Sequence, residues 1–287
     1  MLDLALTHAP SAMGVQGDIE RLPFRPRSIG GAWASMTYHH IDRARLPMAL
    51  AHLHWSLAVD APVDLTAVGG DYDGTRFPDD DFPGRWFSAW TPEFAARVAE
   101  GAGFTVESVA RDGPNVRVRA RRARSLPDTV GPGMRLLVCG LNPSIYSADR
   151  GVGYARPGNR FWPAAVAADL VSRPLDGVHA LEHHGVGITD LVKRATVAAS
   201  ELSPDEYRAG VARLAWLVDW LRPAAVCFVG LAGWRAAVDR RAGPGPVPGG
   251  FAAVPAYVMP STSGLNARTR FDDLVAHLRA AARLPRQ

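Results

Sequence analysis

The sequence predicts an α/β protein whose carboxy-terminal half is a three-layer α/β/α sandwich around a central parallel sheet. Three runs of strand length are apolar at consecutive positions: residues 134–141, 224–230 and 256–261. Such two-sided apolarity is typical of parallel strands that helices cover on both faces. Helical periodicity accompanies these strands at residues 161–171, 203–221 and 271–282. The alternation predicts a doubly wound sheet with its functional site at the carboxyl ends of the strands.

Length and composition narrow the class of protein. A chain of 287 residues is long enough for two compact units with separate cores. Apolar residues make up 47% and charged residues 21%, which are ordinary values for a globular protein, so we do not expect a disordered chain. We expect a cytoplasmic protein without a membrane span, because no run of 18 apolar residues occurs and residues 1–8 lack the basic start of a secretory signal. Cys139 and Cys227 lie in apolar strand-like runs, which predicts buried thiols and excludes a disulfide framework.

A basic run marks the predicted boundary between the two units. Five arginines lie between residues 117 and 124, and the turn formers of SLPDTVGPG follow at residues 125–133. We therefore divide the chain into residues 1–120, a basic, Pro- and Gly-rich linker at 121–133, and residues 134–287. The arginines alternate with apolar residues, which is compatible either with contact to a DNA backbone or with a solvent-facing edge strand. The sequence leaves both interpretations open.

The sequence of the first unit also predicts an α/β fold. Its predicted strands are residues 14–18, 29–36 and 63–68, and its predicted helix covers residues 46–57. A further helix is expected to begin at Thr91, because a capping residue is followed there by proline at the first helical position.

Polar clusters follow two of the predicted parallel strands. GLNPS stands at residues 140–144 and MPSTSGLNAR at residues 259–268. An α/β sheet brings such strand ends together, as a shared site requires. Each cluster alone is a weak signal, since Asn-Pro is a common turn.

Three motifs give the second half a family resemblance. The segment GLNPSIYSADRGVGYARPGNRFW (residues 140–162) resembles the first motif of the mismatch-specific uracil-DNA and thymine-DNA glycosylases of the uracil-DNA glycosylase superfamily. ITDLVKRAT (188–196) is similar to the middle motif and PSTSGLNAR (260–268) to the last. The resemblance covers about residues 133–283. It implies a uracil-DNA glycosylase-like fold and a monomeric enzyme, without metal or cofactor, that acts on damaged or mismatched double-stranded DNA, with single-stranded DNA left open.

The resemblance also implies which residues act in the first two motifs. Asn142 matches the asparagine that binds and orients the attacking water, as an amide can do through a hydrogen bond; the alternative is a simple turn former. Tyr154 matches the aromatic residue on which the flipped base stacks, or is a core tyrosine. Ser144 stands where several relatives carry glycine, and its hydroxyl is expected to affect base recognition. The residues expected to line the base pocket are Gly140, Leu141, Ser144, Tyr154 and Asn159.

Asp190 is a secondary catalytic candidate, at a position where relatives often carry a different polar residue. A carboxylate beside the departing pyrimidine is suited to act as a second water-orienting group or base, with its pKa raised by burial. Alternatively it caps the following turn, or pairs with Lys193 or Arg194. Lys193 is the only lysine of the chain. We expect it to be structural or to contact phosphate, rather than to act as a lyase nucleophile.

The last motif is matched to contacts with DNA. Gly264, Leu265 and Asn266 resemble the wedge that enters the base stack when a base has been extruded. Ser261 and Ser263 match contacts to the phosphate backbone. Arg268 matches a residue that reaches the orphaned partner base, but the adjacent Ala267 is an insertion relative to close relatives and weakens this transfer.

The first half of the chain has a resemblance of its own. GDIERLPF (17–24), AWASMTYHH (32–40) and TPEF (91–94) with AGF (102–104) resemble the later part of a class I methyltransferase that uses S-adenosylmethionine, in which Asp18 would lie near the adenine ring. The glycine-rich cradle and the ribose-binding acid of that family have no counterpart here. We expect a truncated, inactive scaffold or DNA-contact surface, although a misassigned start codon gives the same appearance. The rival functions are therefore a non-catalytic binder of damaged DNA and an active methyltransferase with an appended DNA-recognition domain.

Overall fold

The computed structural model describes residues 7, 8, 11, 13–77, 80, 82 and 84–285. The expectation that the chain lacks a secretory signal rests mainly on residues 1–6, which lie outside this range. The chain forms two α/β units, each built on its own sheet, so the predicted α/β class is confirmed.

In the described ranges, the amino-terminal unit contains a four-stranded mixed sheet and two α-helices of ten or more residues. In chain order its elements are β1 (Ala32–Ser35), α1 (Leu46–Ser56), β2 (Pro62–Val68), β3 (Asp73–Gly74), β4 (Phe87–Ser88), α2 (Pro92–Gly101), β5 (Phe104–Asp112) and β6 (Asn115–Arg122). The sheet order is β1-β2-β6-β5, with β1 and β2 parallel and the other pairs antiparallel. β3 and β4 pair separately as a short ribbon. As predicted, α2 begins after Thr91, whose hydroxyl accepts from the backbone N–H of Phe94.

One prediction for this unit, and one of the two alternatives left open for the basic run, are wrong. Residues 14–18 form no strand, and only an isolated bridge joins Asp18 to Arg21. The basic run does not lie on an edge strand, because β6 is hydrogen-bonded to β2 on one side and β5 on the other. Its alternation arises because one face of β6 packs into the core while the other faces solvent. On the solvent face, Arg117 is paired with Asp64.

The carboxy-terminal domain follows the predicted alternation of strands and helices. Its elements are β7 (Leu136–Gly140), α3 (Ile145–Arg150), α4 (Phe161–Ala167), α5 (Gly177–His184), β8 (Val186–Asp190), α6 (Pro204–Leu221), β9 (Val226–Val229), α7 (Leu231–Ala237), β10 (Gly245–Pro246), β11 (Ala256–Met259) and α8 (Phe271–Ala282). The sheet order is β10-β11-β9-β7-β8, and all pairs are parallel except β10 with β11.

Successive residues of each central strand are buried on opposite faces of this sheet. Leu136 and Val138 of β7 belong to a core that includes α4, α5 and α8. The intervening Leu137 and Cys139 belong to a second core that includes α6 and α7. This arrangement is the predicted three-layer sandwich. Cys139 and Cys227 are buried free thiols, as predicted.

The helix predicted at residues 161–171 ends early. α4 stops at Ala167, and Asp169 adopts a left-handed backbone conformation with a φ of 56°. Leu170 and Val171 are buried in the irregular segment that follows the helix. Their apolar side chains therefore continue the periodic pattern in the sequence although the residues are not helical.

The two units share an apolar interface. On α6, Trp216 and Trp220 pack edge-on against Phe94 of α2. The segment that joins the units is itself largely buried: Leu126, Val130 and Met134 are at most 5% exposed. The boundary region is therefore packed between the two cores.

Candidate active site

The polar segments singled out in the sequence lie at one edge of the carboxy-terminal sheet. Asn142 follows β7 and Ser261 follows β11, and both strands are parallel to β9 between them. Two strand spacings of about 4.8 Å therefore separate the ends of these strands. Asp190 ends β8 and is paired in register with Gly140 at the end of β7. The carboxyl ends of these strands thus assemble the candidate site, as predicted from the α/β pattern.

Hydrogen bonds from the amide nitrogen hold the side chain of Asn142 in place. Nδ2 donates to the carbonyl oxygen of Arg194 at 3.0 Å and to Oγ1 of Thr196 at 2.8 Å, with a longer contact to the carbonyl of Pro143. Two of these partners are carbonyl oxygens, which only accept, so the bonded atom must be the amide nitrogen. The acceptor Oδ1 has no hydrogen-bond partner in the described ranges and can hold another molecule. This orientation suits an amide that binds water.

Gly140, Asp190 and Tyr154 meet in a tight group beside Asn142. A Cβ at position 140 would collide with Oδ1 of Asp190 and would lie 3.0 Å from the hydroxyl oxygen of Tyr154. Glycine is therefore required here by the close approach of two functional side chains, rather than by its backbone conformation.

The carboxyl group of Asp190 is buried and unpaired among the described residues. Burial raises its pKa to about 6. Neither of the predicted ion pairs forms, because Arg194 is paired with Glu206 and Lys193 with Asp128. These two alternatives for Asp190 are wrong. Its side chain is free to face the site.

A buried ionic network lies behind β8. The carboxylate of Asp128 accepts from Lys193 at 2.8 Å, from Arg213 at 2.6 Å and from the hydroxyl of Thr189 at 2.6 Å. Burial alone would raise the pKa of Asp128, but Arg213 and Lys193 outweigh it and hold this pKa below its usual value. Arg213 also donates to the backbone carbonyl of Asp190 at 2.6 Å. The network thus fixes the backbone that carries the candidate acid.

Sequence reasoning missed Asp128 and Arg213. Asp128 stood in the segment interpreted as a linker. Arg213 shares the buried face of α6 with Gly210, Leu214 and Leu217. A charged residue at a core position of a helix was the available signal, because such a charge is rarely buried without a partner.

Tyr154 stacks on Phe161, with ring centroids 4.1 Å apart and an interplanar angle of 24°. Its backbone is left-handed, with a φ of 58°, and its buried hydroxyl lacks a hydrogen-bond partner in the described part of the chain. Burial, reinforced by the nearby Asp190, raises the pKa of the phenol well above its usual value. The ring of Tyr154 therefore packs on a core residue, but its hydroxyl lacks the hydrogen bond that a buried tyrosine normally makes.

Three further predicted residues have local structural contacts. The hydroxyl of Ser144 caps α3 by accepting from the backbone N–H of Ser147 at 3.1 Å. Oδ1 of Asn159 accepts from the backbone N–H of Phe161 at 2.9 Å, at the start of α4. The side chain of Leu141 packs against α7 at Gly233. The backbones of these residues border the site, while their side chains support the surrounding helices.

The loop after β11 is braced from within. Nδ2 of Asn266 donates to the carbonyl of Ser261 at 2.8 Å, and Oγ of Ser263 accepts from the backbone N–H of Leu265 at 3.3 Å. The guanidinium of Arg160, which sequence reasoning missed, donates at 2.7 Å to the carbonyls of Thr269 and Asn266. A rigid frame therefore supports the tip of the loop.

At that tip, Leu265 is 86% exposed and Arg268 is exposed beside it. Gly264 is required by a close approach, because a Cβ there would lie 2.7 Å from the carbonyl oxygen of Gly158. The approach is to the loop that follows Tyr154. The exposed leucine on a braced loop is thus held next to the segment that carries the stacked tyrosine.

The sheet order and the polar loops at one edge define an α/β/α protein with an amide-and-carboxylate site beside an exposed apolar loop. A family model described as the uracil DNA glycosylase superfamily matches residues 127–282, which is more than half of the chain. The chain belongs to the uracil DNA glycosylase superfamily. Membership indicates a DNA glycosylase, that is, a hydrolase that binds DNA.

Several of the solved structures that are similar to the chain are described as methyltransferases. An S-adenosylmethionine-dependent methyltransferase from Methanosarcina mazei is 12% identical with a TM-score of 0.35, over 42% of this chain and 77% of that one. A 1,6-didemethyltoxoflavin-N1-methyltransferase from Burkholderia thailandensis is 19% identical with a TM-score of 0.32, over 38% and 50%. An S-adenosylmethionine-dependent methyltransferase from Aquifex aeolicus is 14% identical with a TM-score of 0.33, over 42% of this chain and 63% of that one. The chain thus spans less than two thirds of the length of the last two proteins. At these identities and TM-scores, the similarity assigns no activity to the chain.

Among the described residues, no group of three or more His, Cys, Asp or Glu is arranged to hold a metal ion. No helix within the described ranges has the length and apolarity to cross a membrane.

Proposed function

We propose that the protein is a monofunctional DNA glycosylase that flips uracil or a related damaged or mismatched pyrimidine out of DNA. It hydrolyses the N-glycosidic bond and leaves an abasic site for base excision repair. The observation that carries this proposal is the anchored amide of Asn142, whose nitrogen donates to Arg194 and Thr196 while its oxygen has no hydrogen-bond partner among the described residues.

In the proposed reaction, Oδ1 of Asn142 holds a water molecule against the sugar carbon. The bond between this carbon and the base nitrogen breaks, and the sugar develops oxocarbenium character. Water then adds, its proton is released, and the base leaves as an anion that is protonated afterwards. An amide is a weak base, so its contribution is to position the water. Stabilisation of the leaving anion is assigned to backbone N–H groups around the site.

Asp190 has a secondary role in this proposal. With a pKa of about 6, its carboxyl is largely ionised at pH 7 and suited to accept a proton from the water. Its proximity to Gly140 and Tyr154 supports this placement. Tyr154 is proposed to stack on the flipped base, which is consistent with a ring already held parallel to Phe161.

The loop after β11 is proposed to enter the DNA. Unstacking a base costs a few kcal/mol, and an exposed apolar side chain at the vacated position offsets part of this cost. Leu265 has the exposure that this role requires. Ser261 and Ser263 are proposed to contact phosphate, and Arg268 to reach the orphaned base.

No lysine Schiff base is part of the proposal. The ammonium of Lys193 is bound to Asp128 at 2.8 Å, and the side chains of both residues are less than 10% exposed. The amino-terminal unit is proposed to be a methyltransferase-like scaffold without activity of its own.

The direct test is a single-turnover assay on oligonucleotides that contain uracil, thymine mismatched with guanine, 5-hydroxymethyluracil, ethenocytosine or hypoxanthine, as duplex and as single strand. Abasic sites are revealed by alkaline strand cleavage. We expect release of at least one pyrimidine. Binding to damaged duplex without release of any base would identify a non-catalytic binder instead.

A further inference from the structure

The loop that carries the exposed leucine, residues 262–269, is called the wedge loop below. It packs on the segment that follows the stacked tyrosine. The backbone N–H of Arg160 donates to the carbonyl of Thr262 at 2.9 Å. A Cβ on Gly264 would lie 2.7 Å from the carbonyl oxygen of Gly158, so the two backbones are in direct contact there. The wedge loop is thus attached to this segment through its backbone.

The guanidinium of Arg160 holds the wedge loop on both sides of its tip. Its Nη1 donates to the carbonyl of Thr269 at 2.7 Å, and its Nη2 donates to that of Asn266 at 2.7 Å and to that of Ser263 at 3.4 Å. These carbonyls come before and after Leu265 in the chain. One planar fork therefore fixes the backbone on either side of the exposed side chain.

Arg160 is committed to the wedge loop. It is half-buried, and it forms no ion pair in the described part of the chain. The acceptors of its guanidinium there are the backbone carbonyls of this loop. A lysine has a single ammonium on a flexible stem, so it cannot bridge the same separated carbonyls as a rigid fork does. The residue type thus fits the holding of a loop rather than the pairing of a charge.

The segment that holds the wedge loop also holds the stacked tyrosine. Phe161, the neighbour of Arg160, stacks on Tyr154 with ring centroids 4.1 Å apart. The side chain of Asn159 accepts from the backbone N–H of Phe161 at 2.9 Å. Arg160 therefore lies between the ring that is proposed to stack on the flipped base and the loop that is proposed to fill the vacated space.

We propose that Arg160 is a positioning residue that holds Leu265 in register with the base pocket, so that the leucine enters the space that the extruded base leaves. The inference rests on the proposed function and extends it. It assigns a role in recognition to an arginine that acts through the backbone of another loop.

The physical reason is preorganisation. A loop that becomes ordered only on binding loses backbone entropy in the same step in which the base stack is opened, and this loss opposes insertion. The bonds from Arg160 order the loop before DNA arrives. Unstacking is itself unfavourable, so an ordered wedge raises the population of the inserted state.

The test measures insertion without base release. The probe is a duplex with one tetrahydrofuran residue, an abasic analogue that has no glycosidic bond, and the reference is the same duplex with all bases present. The ratio of the two dissociation constants reports insertion at the empty position. It cancels the loss of one positive charge, which weakens binding to both duplexes equally.

We expect the wild type to prefer the abasic duplex. Arg160→Met should lower this preference about tenfold, and Leu265→Ala should lower it by a similar factor. In the combined variant the preference should fall no further than in Leu265→Ala alone, because Arg160 acts through that side chain. A general loss of structure would lower the preference in both backgrounds.

Arg135→Met is the matched control. Arg135 also joins two segments of this domain through backbone carbonyls, those of His184 and Leu170, but it precedes β7 and lies at the opposite end of the sheet. Its replacement should leave the preference unchanged. Arg160→Lys, which keeps the charge but not the fork, should retain part of the preference. Thermal melting verifies that each variant is folded.

Four results would overturn the inference. They are a wild type without any preference for the abasic duplex, an unchanged preference in Arg160→Met, an equal loss in Arg135→Met, and a full further loss when Arg160→Met is added to Leu265→Ala. If Arg160→Met does not fold, Arg160→Lys decides in its place, and an unchanged preference in that variant rejects the inference.

This inference and the proposed function fail separately, because the binding assay requires no base release. An Arg160-dependent preference in a protein that releases no base would reject the glycosylase and retain the role of Arg160. Release of base from DNA by a protein whose preference does not depend on Arg160 would do the reverse.

Discussion

Asn142 is oriented by partners that the chain places 52 and 54 residues away in sequence. Arg194 and Thr196 accept from its nitrogen, and Thr196 is itself buried. A turn-forming asparagine does not require such partners. The contacts therefore favour the water-positioning interpretation over the alternative that the sequence left open.

Replacement of Thr196 by Val tests this orientation. The valine keeps the shape but loses the acceptor at 2.8 Å from Nδ2, so the amide becomes free to rotate. We expect the rate of base release in a single turnover to fall about tenfold or more, because small errors in positioning are costly. The dissociation constant for DNA should stay unchanged. A rate equal to that of the wild type would show that Thr196 does not position Asn142.

The raised pKa of Asp190 is expected to make the stability of the protein depend on pH. Its folded pKa of about 6 lies above the value of 3.8 expected in an unfolded chain. Between these values the folded state binds more protons than the unfolded state, so stability falls as the pH rises through this window. The loss amounts to about 3 kcal/mol by pH 7.

Replacement of Asp190 by Asn removes this titration. Relative to the wild type, the variant should therefore gain about 2.4 kcal/mol in free energy of unfolding between pH 4 and pH 7. Urea unfolding at the two pH values measures the difference. Parallel pH dependence in both proteins would mean that the carboxyl is not desolvated as described.

At the scale of elements, the end of β8 depends on Asp128. Replacement of Asp128 by Asn should destabilise the protein by about 3–5 kcal/mol, because Lys193 and Arg213 then remain buried without their counterion. Denaturant unfolding measures the change. Asp219→Asn, which removes an exposed pair with Arg222 on α6, is the control and should have little effect. A similar, small effect of both changes would reject the network as a support of the site.

The elements also show what the sequence could predict. β7, β9 and β11 were recognisable because they are apolar on both faces, and α6 because residues 203–221 have helical periodicity behind the N-cap Ser203 and Pro204. β8 was not identified as a strand. Its Thr189 and Asp190 are polar, and they are buried only because Asp128 and Arg213 meet them from distant parts of the chain.

The same limit applies to the candidate site. The motifs supplied Asn142, Tyr154 and the loop after β11, since their residue types are readable in order. Arg160 stood in the first motif without an assigned role, because its partners are backbone carbonyls of a loop more than a hundred residues away. Such contacts depend on tertiary packing, which a local pattern does not encode.

At the scale of the whole molecule, the two units are expected to unfold together. Trp216 and Trp220 of α6 pack on Phe94, and the backbone N–H of Asp128 donates to the carbonyl of Gly101 at 2.8 Å. Most of residues 125–131 are buried between the units rather than exposed as a flexible linker would be. The interface therefore couples the two cores.

Differential scanning calorimetry checks this coupling. We expect a single transition whose calorimetric and van't Hoff enthalpies agree. Limited trypsin digestion should leave the bond after Arg122 intact, because this residue is buried in the folded chain. Two separate transitions, or early cleavage within residues 121–133, would show that the units are independent.

The most direct measurement compares the wild type with Asn142→Ala in single-turnover base release from a uracil-containing duplex, with DNA affinity measured in parallel. Deletion of the amide should slow release about a hundredfold or more, since the water is no longer held in position, and DNA binding should be retained. Asn115→Ala, in the amino-terminal sheet, should release base at the wild-type rate. Release by Asn142→Ala at the wild-type rate would contradict the assignment of the water-holding residue.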